Sequence, residues 1–502
     1  MKPYRERDYM GQKILWTIFI VVSLAFFSGC VSALPKNSIK QVETIVHNQT
    51  GSGDHFIKEL SEAEIQKEID LILEEPLTME STVKIALLKN PSIKAVLAGL
   101  GVSQADLIQA GLWHNPNVSG FIRKSNEEDR KTNAEFEVKQ DVMDLIFWPL
   151  RKRLANTRFK QAEYALAKTI VDFIREVRIG FYTWQASSHM LSMRQEHFKA
   201  EESALELAQR QKQAGNINAL DLEQQKGIYF QAKIDLQHSE LEANIARQQL
   251  RNLLGLTDSG LEWLSQETLP DFPSEEFSLN ELEEKAVANR IELAIKNQEL
   301  KAVEQSLTMV RLGVIPSVAG GFNWEQETDG GRLKGPAFEA EVPVFDHKQA
   351  DRLRAKAQIE AGKKQLEALE AQIRLEVRLA YDQLTSGKAM VETYLEAIPV
   401  RQQILKQTLY HYNYMLKGVY DLLRAKQEEF NTQRDYITAL RDYWIARSEL
   451  EHAVGMTLPV NPLKPVESQK DFYGVKQSKN QPKRKSEDVM TEHEHHQHGG
   501  GK

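Results

Sequence analysis

Glu176-Val177-Arg178 returns 200 residues later as Glu376-Val377-Arg378, and each copy is followed by aromatic residues, Phe181-Tyr182 and Tyr381. The same offset relates Asp221-Leu222 to Asp421-Leu422 and Leu254-Gly255 to Val454-Gly455. Upstream, AGLWHNPNVSGF (110–121) parallels LGVIPSVAGGF (312–322), and FEVKQDVMD (136–144) parallels FEAEVPVFD (338–346). Matches kept in order along both halves mean an internal duplication rather than two unrelated domains. The constraint is severe, because whatever the first half builds, the second half must build again.

Each half begins with a helix-like stretch, roughly 77–113 and 278–313, that stops near a proline, Pro116 or Pro316. Two short runs follow, separated by a polar loop, KSNEEDRKTN (124–133) or TDGGRLKG (328–335). They predict strands over about 117–124, 134–143, 316–327 and 336–345. In AEFEVKQDV, Phe136, Val138 and Val142 fall on one face and Glu135, Glu137, Lys139 and Asp141 on the other. In FEAEVPV, Phe338, Ala340, Val342 and Val344 oppose Glu339 and Glu341. Such strands suit either an amphipathic hairpin on a soluble core or a membrane barrel with apolar side chains towards lipid. Trp113, Trp148 and Trp324 border the hairpins, where an interfacial aromatic belt would lie, although ordinary packing also accounts for them.

A long helical stretch comes next. From about Leu150 to Ala214 there is no proline and only Gly180, with apolar residues at Phe159, Ala162, Leu166, Ile170, Phe173 and Val177. Its counterpart runs from about Gln349 to Leu416 through Leu353, Leu366, Leu369, Ile373 and Val377, and Pro399 is expected to kink or interrupt it. Some sixty-five residues at 1.5 Å each extend roughly 100 Å, too long for a globular helix and suited to coiled-coil packing. The stretches turn at Gly215 and Gly418, and helices over about 219–254 and 421–454 lead back. Asp221 and Asp421 stand near their starts, where a carboxylate caps free N–H groups. Beyond Gly455 three prolines (459, 462, 465) and a polar, then histidine-rich, composition predict an extended segment and disordered tail over 459–502.

The leading residues read as an export signal. Lys2, Arg5, Arg7 and Lys13 precede the apolar run Ile14 to Phe27, which is short for a bilayer but right for a signal-peptide core. Ser28-Gly29-Cys30 follows, and Cys30 is the chain's one cysteine, so an intramolecular disulfide is excluded. A cysteine behind small residues and an apolar run resembles a bacterial lipobox, with Phe27 in place of the usual branched residue. Lipidation of Cys30 and removal of 1–29 would take the net charge from −7 to −9. Val31 then implies sorting to the outer membrane. The alternative is a short signal anchor with a buried cysteine. No later segment has eighteen uninterrupted apolar residues, so a spanning part would have to be made of strands.

The net charge of −7 and pI near 6.1 argue against a nucleic-acid partner. GLGVSQ (99–104) lies in a helical pattern without the strand a phosphate loop requires, and no HExxH zinc motif occurs. Glu283-Glu284 and Glu428-Glu429 read as solvated helix faces rather than catalytic pairs. The chain is therefore not expected to be an enzyme or to hold a resident cofactor.

Open strand edges are not viable in hydrocarbon, and single-chain outer-membrane barrels have at least about eight strands. Four strands per chain would have to be shared among copies; two copies suffice on that count. The order of helix, two strands, long helix, tip and returning helix, duplicated, together with AGLWHNPNVSG, GVIPSVAGGF and KGVYDLLRAKQEEFNTQRDYITAL (417–440), resembles the TolC family of outer-membrane efflux proteins over roughly 77–458. The resemblance implies a mainly α protein with a membrane β-barrel part: a homotrimer sharing a twelve-strand barrel above a long α-helical coiled-coil barrel. It implies division into a lipoprotein signal peptide (1–29), a lipid-anchored segment (30–76), two efflux repeats (77–265 and 266–458) and the tail (459–502). It also implies partners: outer-membrane lipid, a periplasmic adaptor and an inner-membrane pump of the resistance-nodulation-division type. Gly215 and Gly418 would stand at the adaptor end. Where the family pattern has two tip aspartates three residues apart, this chain has Asp421 and Arg424, so the acidic ring would be altered.

The last motif is HEHHQH. His493, His495, His496 and His498 suit zinc, copper(II) or nickel, but a glycine-ended tail supplies no fixed geometry and fits transient metal capture, or no metal role at all, rather than catalysis. Heavy-metal cations are the preferred cargo, with drugs or other small molecules next. The readings that compete with a pore are a lipid-anchored coiled-coil scaffold and a periplasmic metal-binding protein.

Overall fold

The computed structural model describes residues 36–52, 61–256 (apart from 125, 128 and 129), 269–270 and 277–459. Helices α1 (Lys36–Thr50) and α2 (Glu62–Leu73) precede the first repeat. That repeat comprises α3 (Met79–Lys89), α4 (Pro91–Gly111), β1 (Asn117–Arg123), β2 (Asn133–Asp141), α5 (Asp144–Gln213) and α6 (Ala219–Leu254). The second repeats the order as α7 (Leu279–Asn289), α8 (Ile291–Leu312), β3 (Ser317–Gln326), β4 (Arg332–Glu341), α9 (Gln349–Asn413) and α10 (Val419–Val454).

The duplication fixes the core. Val177 and Val377, the centres of the repeated Glu-Val-Arg, are both 0% exposed, as are Leu250 and Leu450, and Leu254 and Val454. They meet Val42, Val46, Ile69, Ile85, Ile170 and Ile373 in one cluster at mid-length of the helical body. Away from it the helices pack pairwise, α5 on α6 and α9 on α10, as long coiled coils do.

The two expected leading helices are each broken in two. Asn90 and Arg290 interrupt them in extended conformation, and α3 and α4 meet at 54°. Pro91 is legible in the first break, since proline restricts the residue before it; the second has no proline. Both breaks serve the same carbonyls. Asn90 Nδ2 donates to Leu253 O at 2.8 Å, and Arg290 Nη1 donates to Ala453 O at 3.1 Å, the equivalent residue one repeat later. Each thereby caps the C-terminus of a returning helix that ends in a left-handed glycine, Gly255 or Gly455.

Other expectations are corrected. α9 runs unbroken through Pro399, so the interruption does not occur; the wholly packed Ile398 beside it holds the helix against α10. The fourth strand is Arg332–Glu341 rather than 336–345, because the hairpin closes more tightly: Gly330 N donates to Glu327 O and Glu327 N to Gly331 O. Glu283 and Glu429 are buried, unlike a solvated face. Arg378 and Arg374 surround Glu283, while Lys426 (2.6 Å) and Gln433 (2.7 Å) hold Glu429.

The end of α1 and the last described residues are fastened beside the core. Arg178 donates to Glu451 (2.7 Å) and to Thr50 O (2.6 Å); Arg447 donates to Leu458 O (3.0 Å) and Pro459 O (2.7 Å). Burial pushes the Glu451 carboxyl up, against the pull of these two guanidiniums.

Candidate functional site

The four strands form one antiparallel sheet in the order β1-β2-β3-β4, so the β2–β3 pairing joins the two repeats. Pairing Val118↔Val138, Gly120↔Phe136, Val138↔Phe322, Phe136↔Trp324, Val318↔Ala340 and Gly320↔Phe338 gathers these residues on one face. That apolar face is uncovered, with Ile122 81% and Phe338 86% exposed. Among the described residues nothing packs on this greasy side, which disfavours the soluble-core version of the hairpin.

The opposite face carries Glu135, Glu137, Asp141, Glu325, Glu339 and Glu341 against Arg123 and Lys139. Glu135 and Glu325 are directly paired, a like-charge contact that destabilises a ladder unless relieved. Asn323 Nδ2 donates to Glu135 at 2.7 Å and Asn133 Nδ2 to Glu325 at 3.4 Å. Lys139 bridges Glu137 (2.9 Å) and Glu339 (3.1 Å) across the sheet. A sheet with lipid-type chemistry on one side and acidic chemistry on the other is what a water-filled barrel wall requires. Within one copy the outer edges of β1 and β4 have no strand beside them.

The junction with the helices is rigid. The Arg151 guanidinium (2.5 Å) holds the Asp144 carboxyl at about 2 despite its burial, and Asp144 also accepts from His114 N at 3.0 Å. Trp148 donates to Gly111 O at 2.8 Å, so it ties α4 to α5, while Trp113 is exposed and Trp324 lies on the apolar face.

At the other end, each coiled coil reverses at a tip. Gly215 takes the left-handed conformation (φ 77°) in the first, but its counterpart in the second is Met415 (φ 58°), not Gly418. Gly418 instead occupies the N-cap of α10, as Asn218 does for α6. Asp221 accepts from Asn218 N (3.3 Å) and Asp421 from Gly418 N (3.1 Å), which places both at helix starts. Burial, and then the Asp221 carboxylate of the first tip, push the Tyr420 hydroxyl up. Arg424 lies one turn beyond Asp421 on α10, and Lys417 approaches Asp421 at 3.9 Å. Around the second tip Tyr414, Met415 and Leu416 are exposed. Sequence reading missed this apolar tip, although YMLKG spells it out.

Cys30 and His493, His495, His496 and His498 lie outside the described residues. Among the described residues no group of three or more His, Cys, Asp or Glu could hold a metal ion, and no single helix is long and apolar enough to cross a membrane.

A sequence profile of the family described as outer membrane efflux protein matches residues 82–256, the first repeat. The cobalt-zinc-cadmium resistance protein CzcC of Cupriavidus metallidurans is 21% identical over 390 residues, covering 76% of this chain and 90% of that one. The proteases secretion protein PrtF of Dickeya chrysanthemi is 20% identical over 329 residues, covering 61% and 69%. Among solved structures, the outer membrane protein VceC of Vibrio cholerae superposes with a TM-score of 0.62 at 14% identity, covering 76% of this chain and 97% of that one.

Proposed function

We propose that this chain is an outer membrane efflux protein, a reading supported by the profile match over its first repeat and the likeness to CzcC, and that three copies close one channel through which an inner-membrane pump and a periplasmic adaptor expel metal cations. The observation that carries the reading is the two-faced sheet with two open edges. Its apolar face needs lipid, its acidic face needs water, and its edges need strands. Joining β4 of one copy to β1 of the next satisfies all three, and three copies supply twelve strands.

Below the sheet, α5 and α9 continue the wall. Seventy residues of α5 at 1.5 Å each reach about 105 Å, so the tips stand far from the membrane. Docking of an adaptor at Tyr414, Met415 and Leu416 fits their exposure. The acidic inner face favours cations by its field. The name of CzcC agrees with such cargo, whereas that of PrtF warns that one fold serves unlike cargoes. The role is passage, with the chemistry of selection left to pump and adaptor. The His493–His498 cluster adds a tail that gathers ions transiently, and Cys30 a lipid anchor.

The test is purification from outer-membrane fractions followed by planar-bilayer recording. A heat-resistant trimer that conducts with cation preference is expected; a monomer soluble without detergent would end the channel reading. Removing 491–502 should leave conductance unchanged and lower only zinc or cobalt tolerance. Unchanged tolerance would dismiss the tail as a metal collector.

A further inference from the structure

The apolar face of the sheet ends in charge. Along β4 the outward positions run Ala340, Phe338, Pro336, and then Lys334 opposite Trp324 and Arg332 opposite Gln326. Both cations are exposed, and among the described residues no hydrogen bond or ion pair engages either. The cations on the inner face differ. Lys139 is held by two glutamates, and the Arg123 guanidinium lies over the Phe121 ring at 4.2 Å. The turn acids beside the outward pair are turned elsewhere: Asp329 accepts from Gly331 N at 2.6 Å, and Glu327 continues the inward alternation of Asn323 and Glu325.

Height decides what surrounds them. From Val342 to Lys334 is eight residues, and at ~3.3 Å each with a strand tilt of ~40° the rise is about 20 Å; Arg332 stands about 5 Å higher. An outer-membrane barrel carries an apolar band about 25 Å tall. Lys334 therefore sits just inside its upper border, with a stem long enough to snorkel, and Arg332 in the headgroup layer. The hairpin end is the end away from the helices, so this border faces the leaflet remote from the periplasm.

We propose that Arg332 and Lys334 form an anion-binding rim on the lipid side of the barrel, taking the phosphate groups of a phosphorylated glycolipid in the outer leaflet. The inference rests on the channel reading above. Guanidinium and ammonium supply the paired donors that phosphate oxygens accept, and Trp324, paired with Lys334 on the same face, offers an interfacial ring beside them. Ring closure repeats the rim once per copy, beside each join between β4 and the neighbouring β1.

The experiment is native mass spectrometry of the detergent-solubilised, full-length oligomer titrated with diphosphoryl lipid A, its dephosphorylated form, or phosphatidylglycerol. Retention of diphosphoryl lipid A up to one per copy, with little of the other two, is expected. Each cation beside an anionic surface contributes about five-fold, so Arg332→Gln with Lys334→Gln should weaken binding about thirty-fold. Arg123→Gln, on the inner face at the same hairpin end of the sheet, should leave it intact. Equal binding by the double variant overturns the rim, and so does equal retention of dephosphorylated lipid or of phosphatidylglycerol. Bilayer recording on the same preparations separates the two claims: a conducting trimer without glycolipid removes the rim alone, and a silent monomer removes both.

Discussion

Phe338 and Glu339 are adjacent in sequence and face opposite media, so exchanging each for lysine is the sharpest trial of the barrel. Phe338 lies four residues from Val342 and four from Lys334. At ~3.3 Å per residue and a tilt of ~40°, it is about 10 Å from each of them, near the middle of the apolar band. A lysine on the lipid face at that depth costs about 2–4 kcal/mol, and a ring of three copies multiplies this to about 6–12 kcal/mol. The assay is the yield of heat-resistant oligomer from outer-membrane fractions, which Phe338→Lys should nearly abolish. Glu339→Lys meets water instead of hydrocarbon. It removes the 3.1 Å partner of Lys139 and inverts one charge on an acidic wall. Assembly should survive, while the reversal potential in a salt gradient moves towards anions. A Phe338→Lys oligomer as abundant and heat-resistant as the parent would refute the assignment of faces, as would a Glu339→Lys chain that fails to assemble.

Gly255 and Gly455 invite a paired comparison by thermal unfolding. Alanine in the left-handed region costs about 1–2 kcal/mol at either, but at 255 its Cβ would also meet Asn90 Cα at 2.9 Å and Lys89 O at 3.0 Å, against 3.5 Å for the nearest atoms at 455. Gly255→Ala should be the worse by about 1–3 kcal/mol, and the reverse order would contradict the packing. Burial pushes the Asp172 carboxyl up, but hydrogen bonds from His452 and Lys168 outweigh it and bring it down to about 2. A carboxyl depressed below its unfolded value of ~3.9 stabilises the fold above pH ~4 and loses that contribution as pH falls towards ~2. Asp172→Asn should therefore flatten that part of the acid-unfolding curve, and an unchanged curve would count against the pairing. Tyr420→Phe removes the hydroxyl that the Asp221 carboxylate of the other tip acts on; single-channel recordings should show a larger or more frequent open state, and identical traces would deny this pairing a gating role.

What the sequence disclosed follows periodicity and repetition. Alternation in AEFEVKQDV and FEAEVPV placed two strands on the correct faces, and the 200-residue echo placed the buried valines and the glycine stops. The omissions lie where tertiary contacts decide. Nothing local in NRIE announces a helix break at Arg290, which exists because its guanidinium reaches Ala453 O. Glu283 looked solvated because the arginines that enclose it come some ninety residues later. Composition points to Gly418 for the second turn, yet Met415 bears the left-handed conformation. Helices α1 and α2 went unread, although Val42, Val46, Ile65 and Ile69 recur at the helical step of four.

The fastening of the end of α1 and of the last described residues has a mechanical side. Thr50 O and Leu458 O are gripped by Arg178 and Arg447, which share Glu451, and Gly51 lies against Thr457. A pull along the segment after α1 or along residues 456–459 is borne by this knot of guanidinium and carboxylate before it reaches any strand or tip. Such a load is grounded at the waist of the molecule, and the strands and the tips are spared it.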